Sequence, residues 1–100
     1  MLTFEFLAEK DIDRVMLLDN QYEHERYSQE NFREFFSNKF VDIIVVVENN
    51  VDVGYAIIMT IFEESNLIKI VVTNECRNSG IGTKLLDFIK NHLKNKNSQT

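Results

Sequence analysis

A chain of 100 residues, 44% hydrophobic and 27% charged, has room for one core and one domain, residues 1–100, and this ordinary composition excludes a disordered or collagen-like chain. The formal net charge of −5 argues against a general nucleic-acid binder, and no apolar run approaches the roughly 18 residues that a membrane span needs. The lone Cys76 can neither close an internal disulfide nor build a zinc site, and Met1-Leu2-Thr3-Phe4-Glu5 puts an acid where a signal peptide needs bases, so a reducing, cytoplasmic setting is expected.

Taken in chain order, Leu2 to Leu7 alternates Phe4 and Phe6 against Thr3 and Glu5, the period of a half-buried strand. Asp11 to Gln21 reads as a helix with Ile12, Val15, Met16 and Leu18 or Asp19 near one face. Ser28 has the character of an N-cap, with Glu30 in the following first turn, and Phe32, Phe35 and Phe36 form the buried stripe of a second helix. Ile43 to Val47 is a β-branched run too short for a helix, which predicts a strand covered on both faces. Glu48 to Asp52 reads as a turn, Val53 to Phe62 as a long strand, and Glu63 to Asn66 as the next turn. Leu67 to Thr73 predicts a further strand and Asn74 to Ser79 a polar loop. From Ile81, the spacing of Leu85, Leu86, Ile89 and Leu93 marks an amphipathic helix to about Lys94. The order is β-α-α-β-β-β-α, an α/β arrangement in which a three-strand meander is flanked by helices.

Chemistry concentrates between the last strand and the last helix. Proline is absent and glycine occurs only three times, yet Gly80 and Gly82 fall in one short stretch, Arg77-Asn78-Ser79-Gly80-Ile81-Gly82-Thr83. The first turn of a helix has N–H groups without partners and a dipole that favours anions, and glycines let a phosphate approach the backbone. A P-loop does not fit: Arg77 stands at its first glycine position, and Gly82 precedes Thr83 where a lysine is needed. The dinucleotide fingerprint does not fit either, because Leu85 occupies the position of its third glycine. Simple turn geometry for the glycines and a solvated loop charge for Arg77 are the plain alternatives.

A third pattern, Arg/Gln-x-x-Gly-x-Gly/Ala after a β-branched strand, is satisfied by Arg77 to Gly82. This stretch resembles the acyl-CoA pyrophosphate loop of the GNAT superfamily of N-acetyltransferases. Leu67 to Val72 looks like that family's fourth strand, and Leu85-Leu86-Asp87-Phe88-Ile89 like the helix after its loop. Tyr27-Ser28-Gln29-Glu30-Asn31-Phe32 and Val53-Gly54-Tyr55-Ala56 are similar to the ribosomal-protein-alanine N-acetyltransferase branch. The resemblance implies a GNAT-like, mixed, mainly antiparallel sheet flanked by helices, truncated after the helix that follows the fourth strand. It implies acetyl-CoA as co-substrate, without a metal. The N–H groups of Asn78, Ser79, Gly80, Ile81, Gly82 and Thr83 would hold the pyrophosphate, with Arg77 beside it. Ile70, Val71 and Val72 would pair by their backbone with the pantetheine arm, and the amide of Val71 or Val72 would lie near the thioester carbonyl.

The acceptor implied is an amine, a protein N-terminus in the branch resembled. The catalytic base and acid of that branch fall beyond residue 100, and Lys69, the polar residue of the fourth strand, is a poor base at an ordinary pKa of about 10.4. No catalytic residue is therefore assigned. Charge supports two kinds of partner: residues 1–66 carry 14 acids and 5 bases, residues 67–100 carry 2 acids and 6 bases. His24 between Glu23 and Glu25 is read as a solvated or acceptor-edge segment rather than a metal site, since adjacent residues do not share one helix face. A rival to enzymatic activity is a non-catalytic CoA-binding or interaction module that forms a homodimer through an exposed strand edge at Leu67 to Thr73. No nucleic-acid or membrane partner is expected.

Overall fold

The β-branched runs become a four-stranded antiparallel sheet in the computed structural model, which describes residues 2–21, 26–62, 64–73 and 80–97. The strands are β1 (Leu2–Phe6), β2 (Val41–Glu48), β3 (Val51–Ile61) and β4 (Glu64–Val72), in the spatial order β1-β2-β3-β4. After β1 comes a 3-10 turn, Glu9–Asp11, then α1 (Ile12–Asn20) and α2 (Gln29–Ser37); α3 (Ile81–Asn97) follows β4. The order β-α-α-β-β-β-α read from periodicity is the order found. No helix of the described residues is long and apolar enough to cross a membrane.

Strands β2, β3 and β4 are longer than the sequence suggests, because the turns between them are shorter, while β1 ends one residue earlier, at Phe6. Between β2 and β3 only Asn49 and Asn50 lie outside the ladder, with φ of 50° and 68°. Two successive left-handed residues match the twist of a hairpin, and asparagine tolerates that conformation. Glu48 and Val51 therefore pair, and so do Val47 and Asp52. Between β3 and β4 the chain reverses at Phe62, so Ile61 pairs with Glu64 and Thr60 with Ser65, the last two sharing a side-chain hydrogen bond of 3.2 Å. The polar run Glu64-Ser65-Asn66, read as turn, is thus an exposed strand start.

Phe62 is 95% exposed and has a φ of 56°. A left-handed phenylalanine with no packing is strained for nothing, by roughly 1 kcal/mol. Phe62→Gly relieves that strain at the cost of glycine's extra unfolded-state entropy, so it is expected to raise the unfolding temperature by only a few degrees, about 0–4 °C, in a thermal melt.

Ile43, Val45 and Val47 face a core under α1 and α2, with Val15, Leu18, Phe32, Tyr55, Ile57 and Val71. Ile44 and Val46 face the other core, under α3, with Val53, Ala56, Ile58, Ile81, Leu85 and Ile89. Burial on both sides is why β2 reads as an unbroken apolar run. Two register shifts adjust which side chain goes where. Val53 is the extra residue where Val46 pairs with Gly54 and Val47 with Asp52. Ile68 is the extra residue where Ile57 pairs with Lys69 and Ile58 with Leu67. A bulge breaks the two-residue alternation. It lets Val53 join the α3 core and sends Ile68 to the α1/α2 core.

The helices are fastened by polar contacts that the sheet positions. Ser28 caps α2: its Oγ accepts from the Asn31 amide at 3.1 Å, and its own amide donates to Asn31 Oδ1 at 3.0 Å. Arg14 on α1 donates to both Asp52 oxygens, at 3.0 and 2.8 Å, and to Glu5 Oε1 at 3.1 Å. The hydrogen bond to Asp52 chiefly raises its pKa above the ordinary arginine value, with burial opposing and Glu5 adding. The cation persists at every pH that the fold survives.

Gly54 is required by packing. A Cβ built there lies 2.8 Å from the Val71 carbonyl oxygen, a backbone atom that cannot rotate away. Gly54→Ala is expected to push β4 outward and to lower stability by about 1–3 kcal/mol, read by chemical denaturation.

Candidate functional site: the outer edge of β4 and the start of α3

Strand β4 is the edge of the described sheet. The Thr73 amide donates to the Val53 carbonyl at 3.0 Å, and Gly54 pairs with Val72 and Tyr55 with Val71. Antiparallel ladders alternate hydrogen-bonded and non-bonded pairs. Lys69, Val71 and Thr73 therefore turn their N–H and C=O groups toward β3, and Ile70 and Val72 turn theirs to the outer edge. Of the amides of Val71 and Val72, parity turns that of Val72 to the outer edge and that of Val71 inward. The side chains do separate work. Val71 is buried in the α1/α2 core, while Ile70 and Val72 pack against the α3 core.

Helix α3 begins against the end of this strand. Gly80 has a φ of 83°, in the left-handed region that glycine adopts without a steric cost, and its carbonyl accepts the Lys84 amide at 3.0 Å. Ile81, Leu85 and Ile89 are buried and hold the helix on the sheet. A Cβ at Gly82 would sit 3.8 Å from a Val72 methyl, so the first turn lies directly beside the strand end. The first-turn N–H groups of Ile81, Gly82 and Thr83 have no partner within the helix. The structure thus brings Ile70, Val72, Gly80, Ile81, Gly82 and Thr83 to one end of one edge. Arg77, Asn78 and Ser79 lie outside the described residues, as do Cys76 and Tyr22, Glu23, His24 and Glu25.

A second polar centre lies on the opposite face of β4. Asp19, at the end of α1, is wholly buried. Its Oδ1 accepts from the Tyr55 hydroxyl and from Lys69 Nζ, both at 2.6 Å, and its Oδ2 accepts from the Tyr27 amide at 2.7 Å. The Lys69 ammonium also stands 4.5 Å from the centre of the Tyr27 ring. Its side chain is only 9% exposed. Sequence reasoning named Asp19 and Lys69 separately and did not join them. The available signal was two opposite charges at otherwise apolar positions, one on a helix stripe and one in a β-branched strand.

A shallow groove of about 520 Å³ runs along the far edge of the sheet, lined by Leu2, Phe4, Lys84, Asp87, Phe88 and Asn91. Phe4 and Phe88 stack there at 4.5 Å between ring centres.

The family model described as an acetyltransferase (GNAT) domain matches residues 39–100, which include β2, β3, β4, α3 and the glycine loop. The chain belongs to the GNAT acetyltransferase family. Among solved structures, this GNAT domain is similar to a ribosomal-protein-alanine N-acetyltransferase from Escherichia coli, with a TM-score of 0.87 and 19% identity over 96% of this chain. It spans 61% of the length of that enzyme. It is also similar to an aminoglycoside acetyltransferase from an uncultured soil metagenomic sample, solved with sisomicin (TM-score 0.74, 18% identity, 95% of this chain and 71% of that one). A third is the PaiA N-acetyltransferase from Thermoplasma acidophilum, solved with coenzyme A (TM-score 0.74, 15% identity, 97% and 74%). At these identities the likeness is one of fold. No curated protein sequence matches the chain. For a GNAT domain, the geometry offers outward amides for an extended amide-bearing arm and a helix start for an anion.

Proposed function

We propose that residues 1–100 form a single cytoplasmic acetyl-CoA-binding domain that transfers an acetyl group from acetyl-CoA to an amine, a protein N-terminal α-amine in particular. One observation carries the reading: the end of β4, where Ile70 and Val72 turn their backbone groups outward, lies beside the first turn of α3, a Cβ at Gly82 being 3.8 Å from a Val72 methyl. An acyl-CoA has the matching shape, a pyrophosphate followed by a pantetheine arm with two amides. The first-turn N–H groups of Ile81, Gly82 and Thr83, with Gly80 and the preceding Asn78 and Ser79, take the pyrophosphate, and Arg77 adds positive charge. Ile70, Val71 and Val72 take the arm, Ile70 and Val72 by backbone hydrogen bonds and Val71 by holding the strand in the core. Acetyl-CoA supplies the activated acyl group. The Val72 amide is placed to donate to its carbonyl oxygen, an effect worth roughly 3–4 kcal/mol where such donors have been removed from other enzymes.

The α-amine acceptor is favoured by the likeness to a ribosomal-protein-alanine N-acetyltransferase and by the acidic N-terminal two-thirds, which suits a cationic partner. Mass spectrometry of an alanine-initiated peptide incubated with acetyl-CoA is expected to show one added acetyl group. No acetylation of such peptides or of simple amines at high protein concentration would refute catalysis by this chain.

A second reading rests on the same edge. The outward groups of Ile70 and Val72 also suit a strand from another copy, giving a non-catalytic CoA-binding homodimer across Leu67 to Thr73. Sedimentation equilibrium separates the two, since a monomer that persists at high concentration removes the dimer.

A further inference from the structure

The Asp19–Lys69 pair lies at a mechanically particular point. Lys69 immediately follows Ile68, the extra residue at which the β3–β4 ladder loses its register. Pairing alone holds a strand less firmly at a bulge. Lys69 also immediately precedes Ile70, whose N–H turns to the outer edge. From the other face, Lys69 Nζ is fixed by Asp19 Oδ1 at 2.6 Å, and Asp19 is itself fixed by Tyr55 on β3 and by the Tyr27 amide. A buried ion pair is a poor source of stability, because an apolar trio of similar volume does as well or better. Directional bonds do something that apolar contact does not: they set where β4 lies along its axis and how it is rotated.

We propose that Asp19 and Lys69 are positioning residues that set the orientation of the outward Ile70 and Val72 amides on β4. The proposal rests on the acetyl-CoA reading above, since those amides are the ones assigned to the pantetheine arm and the acyl carbonyl. Both side chains are buried on the α1/α2 side of the strand, away from its outer edge. The pair acts through the strand.

The test uses the charge-neutral double variant Asp19→Asn/Lys69→Met. It removes both charges of the pair together, and the carboxamide keeps an oxygen for the Tyr27 amide while its nitrogen can donate to the Tyr55 hydroxyl. A cooperative melt establishes that it folds. Residual dipolar couplings of the free protein are then expected to change at the Ile70 and Val72 N–H groups while those of β1 and β2 stay as in the wild type. Acetyl-CoA affinity is expected to fall with those couplings, peptide KM to remain within about 3-fold, and kcat to fall by at least about 30-fold, since displacement of a reacting geometry by an ångström or so costs that order. A purely structural role would lower the melting temperature and leave the kcat of the folded fraction intact. Unchanged Ile70 and Val72 couplings in the folded double variant overturn the positioning role. If the wild-type chain binds no acetyl-CoA in calorimetry, the cofactor reading falls and the proposal falls with it. The two failures are told apart because the couplings are measured without ligand.

Discussion

Acetyl-CoA at about 100 times its Kd is expected to raise the unfolding temperature of this domain by roughly 10 °C or more. Binding only the folded state at that excess adds about 2.7 kcal/mol, and each kcal/mol shifts a domain of this size by about 4–8 °C. The effect is expected to vanish in Gly82→Trp, because an indole at the first turn of α3 fills the space in which the loop amides meet the pyrophosphate. Gly82→Ala is the control for the fold: its Cβ meets only an ordinary contact, 3.8 Å from the Val72 methyl. Differential scanning calorimetry with and without ligand reads all three proteins. A shift retained in Gly82→Trp would place the ligand elsewhere.

The second large effect is expected at Asp19. Asp19→Ala removes the carboxylate that pairs with the buried Lys69 ammonium and accepts from the Tyr55 hydroxyl and the Tyr27 amide. Breaking one side of a buried pair costs about 3–5 kcal/mol, so the melting temperature should fall by on the order of 15 °C. Adding Lys69→Met to Asp19→Ala should recover much of that loss, since the penalty comes from the orphaned charge. Equal losses in the single and double variants, measured by urea denaturation, would mean that Lys69 escapes to water when Asp19 is removed.

Much of this architecture was legible because burial on both faces of the central strands leaves a strong local trace. Ile43 to Val47 could be nothing but a covered strand, and Ser28 before Gln29-Glu30-Asn31 marked the start of α2. Polarity alone reads the turns too long, because the hairpins close in tight reversals: Glu64 and Ser65 lie at an exposed strand start and Glu48 at a half-buried strand end. The bulges at Val53 and Ile68 were not legible at all, since they depend on register between strands distant in sequence. The glycine pair at 80 and 82 was visible as an anion cradle, but which β4 amides face outward required the pairing partner of Thr73. The Asp19–Lys69 contact spans 50 positions and was hidden for the same reason.

The central claim is that acetyl-CoA lies along the outer edge of β4 and over the start of α3. The most direct measurement is a titration of 15N-labelled protein with acetyl-CoA, followed amide by amide. The account predicts saturable shifts at Ile70, Val72, Gly80, Ile81, Gly82 and Thr83, with Leu2, Phe4 and the exposed face of α3 at Asp87 and Asn91 unmoved. Shifts confined to that far groove, or none at all in the folded protein, would contradict it.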